Sequence, residues 1–256
     1  MARPKLKAEE RYDTLLSQIY NSEMLDPWTF RDIVDECNQA NSIMSQIVIA
    51  LAYIAKGDVQ DGLKQLELLL PSGDAALARL YCNMLERFSK FEMLDNCIYT
   101  LADKYPGKWL NYRAGGIAYL LGRLSLCSDY LERHCNMLTL DEGREVAEKF
   151  RLEAIEDMAN AYETSHCTAE QYREIGFAVG RVLAEFPSSK FRADITGAHG
   201  GSYIIEVMNA DPEQVSLMNI RLADEVCSVD LLDDCNLIAR FSVERENSKG
   251  VNYAYI

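Results

Sequence analysis

Two His-Cys pairs are the residues best suited to chemistry in this chain, His134-Cys135 and His166-Cys167, and Cys127 lies eight residues before Cys135. Histidine and cysteine bind zinc when four ligands converge, commonly at close spacing within each half of the site. Neighbouring residues on a helix point about 100° apart, so a His-Cys pair does not readily bind one ion. The spacing therefore predicts no metal site.

Other catalytic patterns are equally weak. A nucleophilic cysteine needs a base beside its thiolate, and only Cys167 with a distant histidine could supply that pair. The GAHGG stretch (197–201) precedes a predicted strand and lacks the helix N-terminus that binds phosphate, so a hairpin turn is the simpler interpretation. Asp230, Asp233 and Asp234 are not followed by the lysine motif of a magnesium nuclease. We expect no enzyme and no cofactor.

The chain is strongly acidic, with a formal net charge of −14 over 256 residues. Such a charge repels nucleic acid and anionic lipid, and the only basic stretch runs from Arg3 to Lys7. The predicted partner is another protein with a basic surface or a basic peptide. Alternatively, the charge serves only solubility.

The cysteine pattern and the hydropathy predict a cytoplasmic protein. The eight cysteines are scattered and form no CxxC pair, as expected of reduced thiols. The N-terminal MARPKLKAEERYD has no apolar run behind its basic residues, so no signal peptide is predicted. No apolar stretch reaches the roughly 18 residues that a membrane span requires.

A break in an apolar helical stretch, AYIAKGDVQDGLKQLELLLP (52–71), indicates the architecture. The break at Gly57 recurs at Ser89 and Gly122, each time between two segments with apolar residues three and four apart. Glycine supplies the left-handed conformation that ends a helix. A short helix cannot bury its apolar face alone, so we expect helical hairpins that stack on one another.

These units resemble tetratricopeptide-type repeats over about residues 42–187. The resemblance implies a protein-binding scaffold without catalytic chemistry, and other helical-hairpin solenoids stay open. A fourth, longer unit is predicted from Glu142 to Pro187. The residues that carry the resemblance are Ala50, Tyr53, Gly57, Leu66 and Leu69; Cys82, Leu85, Phe91, Ile98, Leu101 and Pro106; and Gly115, Ala118, Gly122 and Leu131.

The predicted fold class is mainly α, a helical-hairpin repeat solenoid followed by a small C-terminal α+β module of order β-β-α-β-β. Strands are expected at 191–196, 202–208, 236–244 and 251–256, with a helix that starts after Asp211. The module could pair strands in a homodimer. The predicted domains are an N-terminal helical cap (1–40), the hairpin repeats (41–188) and the module (189–256).

Two main functions remain open. In the first, a non-catalytic adaptor or regulatory protein binds a protein or peptide on the first helices of the repeats; the candidate residues are Tyr53, Tyr81, Asn83, Tyr112, Arg113 and Tyr119. In the second, an acidic inhibitor of the immunity, antitoxin or anti-host type occupies the basic nucleic-acid-binding surface of a partner. Its acidic patch would comprise Asp224, Glu225, Asp230, Asp233 and Asp234. A hydrolase site in the C-terminal module is a distant third.

Overall fold

The computed structural model describes residues 7–40, 42–186, 190–244 and 253, and it confirms a mainly α fold with a small C-terminal α+β module. Two compact units comprise residues 1–84 and 85–256; the predicted domain limits stay predictions. The helices are α1 (Lys7–Asn21), α2 (Pro27–Ala40), α3 (Ile43–Lys56), α4 (Val59–Leu69), α5 (Ala75–Arg87), α6 (Phe91–Lys104), α7 (Lys108–Leu120), α8 (Leu124–Met137), α9 (Arg144–Ser165), α10 (Ala169–Glu185) and α11 (Pro212–Cys227), and the strands are β1 (Lys190–Thr196), β2 (Ser202–Met208) and β3 (Ile238–Val243).

In the first unit, α1 and α2 pack against α3. The start of α2 agrees with its sequence, since the Asp26 carboxylate accepts hydrogen bonds from the main-chain N–H groups of Trp28 and Thr29, each at 3.0 Å. Leu15 of α1 and Ile33 of α2 are each 1% exposed. Their burial gives both helices an apolar face directed into this unit.

Three hairpin turns share one geometry. Gly57, Ser89 and Gly122 all have positive φ angles, of 102°, 50° and 69°. At each turn the main-chain N–H of this residue donates to the carbonyl of the residue three positions before it. The main-chain N–H of the following residue donates to the carbonyl five positions before itself. The predicted recurrence of the turn is therefore confirmed at the level of main-chain hydrogen bonds. The bonds run from Gly57 to Ile54 and Asp58 to Tyr53, from Ser89 to Glu86 and Lys90 to Leu85, and from Gly122 to Tyr119 and Arg123 to Ala118.

A small buried residue precedes each turn by seven positions: Ala50, Cys82 and Gly115. A Cβ atom on Gly115 would lie 2.6 Å from the side chain of Leu131 in α8. The small residue thus allows the close approach of the two helices in the α7–α8 hairpin.

In the second unit, α6 packs on α7 and α8 packs on α9, so helices adjacent in the chain lie side by side. The Tyr162 hydroxyl of α9 donates to the Gly122 carbonyl at 2.6 Å. The predicted fourth unit corresponds to α9 and α10, whose turn contains His166 at φ 55°. Its first helix has 22 residues and is longer than those of the other hairpins.

The C-terminal sheet has the order β1-β2-β3, with β1 antiparallel and β3 parallel to the central β2. The GAHGG stretch joins β1 to β2, as predicted, and Asp211 caps α11 by accepting from the Gln214 N–H at 2.7 Å. The sheet contacts α7 through Tyr203, whose hydroxyl donates to the Leu120 carbonyl at 2.8 Å. The predicted fourth strand (251–256) lies outside the described residues except for Tyr253.

Candidate functional site

Helices α7, α8 and α9 together bind the side chain of Tyr253. Its ring contacts Tyr112 of α7, His134 of α8 and Phe150 of α9. We call these three residues the aromatic pocket. The ring also packs against a buried apolar cluster of Cys135, Leu138 and Ala147.

The ring contacts are those of a specific aromatic site. The centroid of the Tyr253 ring lies 5.5 Å from that of Tyr112 in an edge-on arrangement of 86°, and 5.6 Å from that of Phe150. The His134 ring is 5.8 Å away. These distances fall in the range of favourable aromatic pairs, each of which contributes about 0.5–1.5 kcal/mol beyond burial.

His134 provides the polar end of the pocket. Its ring is 1% exposed, with Nδ1 2.9 Å from the Lys108 carbonyl and Nε2 2.6 Å from the Tyr253 hydroxyl. A carbonyl only accepts, so Nδ1 carries the hydrogen, and in the neutral ring Nε2 is then the acceptor. The Tyr253 hydroxyl therefore donates to His134.

The surroundings of His134 favour the neutral ring. Burial lowers the pKa of His134 below its usual value; the charge of Lys108 acts in the same direction, and the bond to the Lys108 carbonyl opposes both. Because the ring is neutral at pH 7, its Nε2 lone pair is available to a phenol hydroxyl.

Tyr112 adds a contact to the main chain of the bound residue. Its hydroxyl donates to the Tyr253 carbonyl at 3.3 Å. The Arg113 guanidinium lies 5.7 Å from the centre of the Tyr112 ring and donates to the Glu86 carboxylate at 2.9 Å. Burial raises the pKa of Glu86, and the charge of Arg113 opposes that rise. The pocket thus makes polar contacts with both the side chain and the main chain of its occupant.

The first residue of α7 and the loop before α9 are held together beside the pocket. Lys108 forms an ion pair with Glu142, whose carboxylate also accepts from the Thr139 N–H at 2.9 Å. The pKa of Glu142 is lowered to about 2, mainly by the hydrogen bond from Lys108 and secondly by the bond from the Thr139 N–H. These contacts fix Lys108, whose carbonyl sets the hydrogen position on His134.

Of the six residues predicted for partner binding, the structure brings Tyr112 into this pocket and places Arg113 beside it, over the Tyr112 ring. Tyr119 is held at the sheet, where its hydroxyl accepts from the Ile195 N–H at 3.1 Å. The remaining three, Tyr53, Tyr81 and Asn83, belong to the first unit; Tyr81 is 1% exposed, Asn83 is half-buried, and Tyr53 packs edge-on against Phe30 at 5.0 Å.

The reasoning from the sequence missed His134, Phe150 and Tyr253 as site residues. A signal for His134 is present in the repeats, because His134 follows its turn residue by twelve positions, as Leu69 and Leu101 follow theirs. A histidine at a position that is otherwise aliphatic indicates a polar contact inside the hairpin. Phe150 lies in the fourth unit, in the part of α9 that has no equivalent in the shorter first helices, and Tyr253 lies beyond the repeats.

The five residues of the predicted acidic patch differ in environment. Asp230, Asp233 and Asp234 are exposed. Glu225 is half-buried and accepts from Arg181 at 2.6 Å, whereas the exposed Asp224 is 3.6 Å from Arg221.

Among the described residues, no group of three or more His, Cys, Asp and Glu side chains is arranged to hold a metal ion.

Burial raises the pKa of Cys127 to about 12 and that of Cys135 to about 11, so both thiols stay protonated and unreactive at neutral pH. Within the same described ranges, no helix combines the length and hydropathy needed to cross a membrane.

Comparisons of the chain with protein-family models, with curated proteins and with solved structures found no match.

Proposed function

We propose that this protein is a non-catalytic adaptor or regulator that binds a peptide segment of a partner protein on a surface of tetratricopeptide-like helical hairpins. The aromatic pocket of α7, α8 and α9 is the proposed binding site. Nothing in this role requires a cofactor or a covalent step.

The observation that carries the proposal is the double contact with Tyr253. Tyr112 donates to its carbonyl at 3.3 Å, and His134 and Phe150 hold its side chain. Peptide-binding surfaces combine main-chain hydrogen bonds with pockets for individual side chains in this way. The pocket has the apolar lining and few polar groups that are typical of ligand sites.

The composition of the pocket also favours binding. Tyrosine and arginine contribute a large share of the energy at many protein interfaces. Tyr112 lines this pocket, and the Arg113 guanidinium lies over the Tyr112 ring. Arg113 is held in place by Glu86, so part of the ordering cost is met before a partner arrives.

The test is capture of a partner from native extract, followed by binding of the purified partner to three forms of the protein. We expect Tyr112→Ala to weaken binding at least about tenfold, the usual effect of removing an aromatic hot spot. Tyr20→Ala is the matched control, because Tyr20 lies in the first unit and is 51% exposed. Equal affinities for the wild type and Tyr112→Ala would contradict the proposal.

The acidic-inhibitor hypothesis is supported by the exposure of Asp230, Asp233 and Asp234. Electrostatic capture of a basic surface would weaken steeply as salt is raised from about 0.05 to 0.5 M, whereas recognition through an aromatic pocket would not. Replacing the three aspartates by asparagine would slow association in the first case and leave it unchanged in the second.

A further inference from the structure

We propose that Tyr253 is an intramolecular ligand that closes the aromatic pocket, and that the external ligand is a peptide segment with a tyrosine whose phenol takes the same place. The inference rests on the proposed function and names both its ligand class and its regulation.

The pocket is built for a phenol and not only for an aromatic ring. Nε2 of His134 is a buried acceptor with a hydroxyl at 2.6 Å. A phenylalanine in this place would fill the same space but could not form this hydrogen bond, and losing a hydrogen bond to a buried group disfavours binding. Sites that hydrogen-bond a ligand hydroxyl reject the analogue that lacks it.

The pocket also recognises the chain to which the phenol is attached. Tyr112 donates to the carbonyl of the same residue whose side chain reaches His134. The two polar contacts lie at opposite ends of one tyrosine residue. A free phenol could satisfy the His134 contact alone, so a tyrosine within a peptide is the better ligand.

Tyr253 is also more accessible than the tyrosines of the core. Tyr172 and Tyr203 are completely buried, whereas Tyr253 is half-buried. Its partial exposure gives a competing ligand access to the pocket. An occupant on the same chain acts at an effective concentration on the order of mM, so it excludes weak external ligands and yields to strong ones.

The experiment measures binding of a fluorescent peptide to the full chain by anisotropy. The probe has the sequence of residues 249–256, KGVNYAYI, with the position equivalent to Tyr255 changed to phenylalanine so that a single phenol remains. Two further probes carry phenylalanine or alanine at the position equivalent to Tyr253.

We expect Tyr253→Ala protein to bind the tyrosine probe at least tenfold more tightly than wild type, because the competing Tyr253 side chain is absent. The phenylalanine probe should bind that variant at least fivefold more weakly than the tyrosine probe, and the alanine probe more weakly still. Adding Phe150→Ala to the variant should abolish the gain, whereas adding Tyr20→Ala should leave it unchanged.

Three results would overturn the inference. Equal affinity of wild type and Tyr253→Ala for the tyrosine probe would refute closure by Tyr253. Equal affinity of the tyrosine and phenylalanine probes would refute recognition of the phenol. Failure of Tyr253→Ala to fold, monitored by circular dichroism, would make Tyr253 a structural residue and not a displaceable ligand.

The inference and the proposed function can fail separately. If partner binding depends on Tyr112 while the probes do not distinguish wild type from Tyr253→Ala, the pocket binds a partner but is not closed by its own chain. If the probes behave as expected but partner binding is indifferent to Tyr112, the pocket serves only the protein's own Tyr253.

Discussion

The hydroxyl of Tyr253 lies 2.6 Å from Nε2 of His134, a ring that is 1% exposed in the interior of the α7–α8 hairpin. The two residues are 119 positions apart in the chain. This contact joins the only described residue beyond position 244 to the helical part of the second unit. Its chemistry depends on a neutral imidazole, which makes it sensitive to pH.

Acidification should weaken this unit. Histidine titrates near pH 6.5 in the unfolded chain, and burial lowers the pKa of His134 in the folded chain. A lowered pKa means that the folded state resists protonation, so its stability is fully present above about pH 6.5 and declines as the pH falls towards the lower folded value. We expect a lower urea midpoint at pH 5.5 than at pH 7.5.

The control for this effect is His134→Leu, which places at position 134 the residue found at the equivalent positions 69 and 101. Its urea midpoint should change less between the two pH values. An imidazole proton titration by NMR gives the direct check, and a His134 pKa at or above 6.5 would contradict the argument.

Removing the Tyr253 hydroxyl should destabilise the second unit moderately. Tyr253→Phe keeps the ring contacts but removes the hydrogen bond to the buried Nε2 of His134, at a cost of about 1–3 kcal/mol. Tyr20→Phe, at an exposed position, should change the stability by less than about 0.5 kcal/mol. Urea unfolding measures both, and equal midpoints for the two variants would show that the hydroxyl contact contributes nothing.

The repeated turns allow a matched comparison of two glycines. Gly57→Ala introduces a left-handed alanine whose Cβ meets only the end of the Met24 side chain, at 3.1 Å, so the cost should be about 1–2 kcal/mol. Gly122→Ala likewise introduces a left-handed alanine, but its Cβ would lie 2.4 Å from the ring of Tyr172. We therefore expect Gly122→Ala to lower the melting temperature more, and a smaller effect at Gly122 would contradict the packing of α10 on this turn.

The ion pair between Arg192 of β1 and Glu206 of β2 should be essential to the sheet. Glu206 is 1% exposed, so Arg192→Met removes a cation from a buried carboxylate, and breaking a buried ion pair in this way typically costs about 3–5 kcal/mol. Arg133→Met is the control, since Arg133 and Asp103 are both at least half exposed and their pair contributes about 1 kcal/mol or less. Similar losses of stability in the two variants would refute this ranking.

Local signals in the sequence were sufficient for most of the secondary structure. The period of apolar residues predicted the hairpins, and β2 spans the predicted residues 202–208. Asp26 and Asp211 predicted the starts of α2 and α11, because a cap depends on neighbours two or three residues away.

The site was less accessible to the same reasoning. Tyr112 and Arg113 were predicted because repeat geometry places first-helix residues on a binding surface. The same geometry predicted Tyr119, whose hydroxyl accepts a hydrogen bond from β1. Phe150 lies in the fourth hairpin and Tyr253 beyond the sheet, where no repeat relates them to α7.

The order of the residues alone determined where helices end, which faces are apolar and how the turns recur, since these properties arise from interactions over a few positions. Only the tertiary structure decided that a histidine in an aliphatic position meets a tyrosine 119 residues away. The physical reason is that a hydrogen bond between distant residues depends on how the intervening elements pack, and packing is a property of the whole unit.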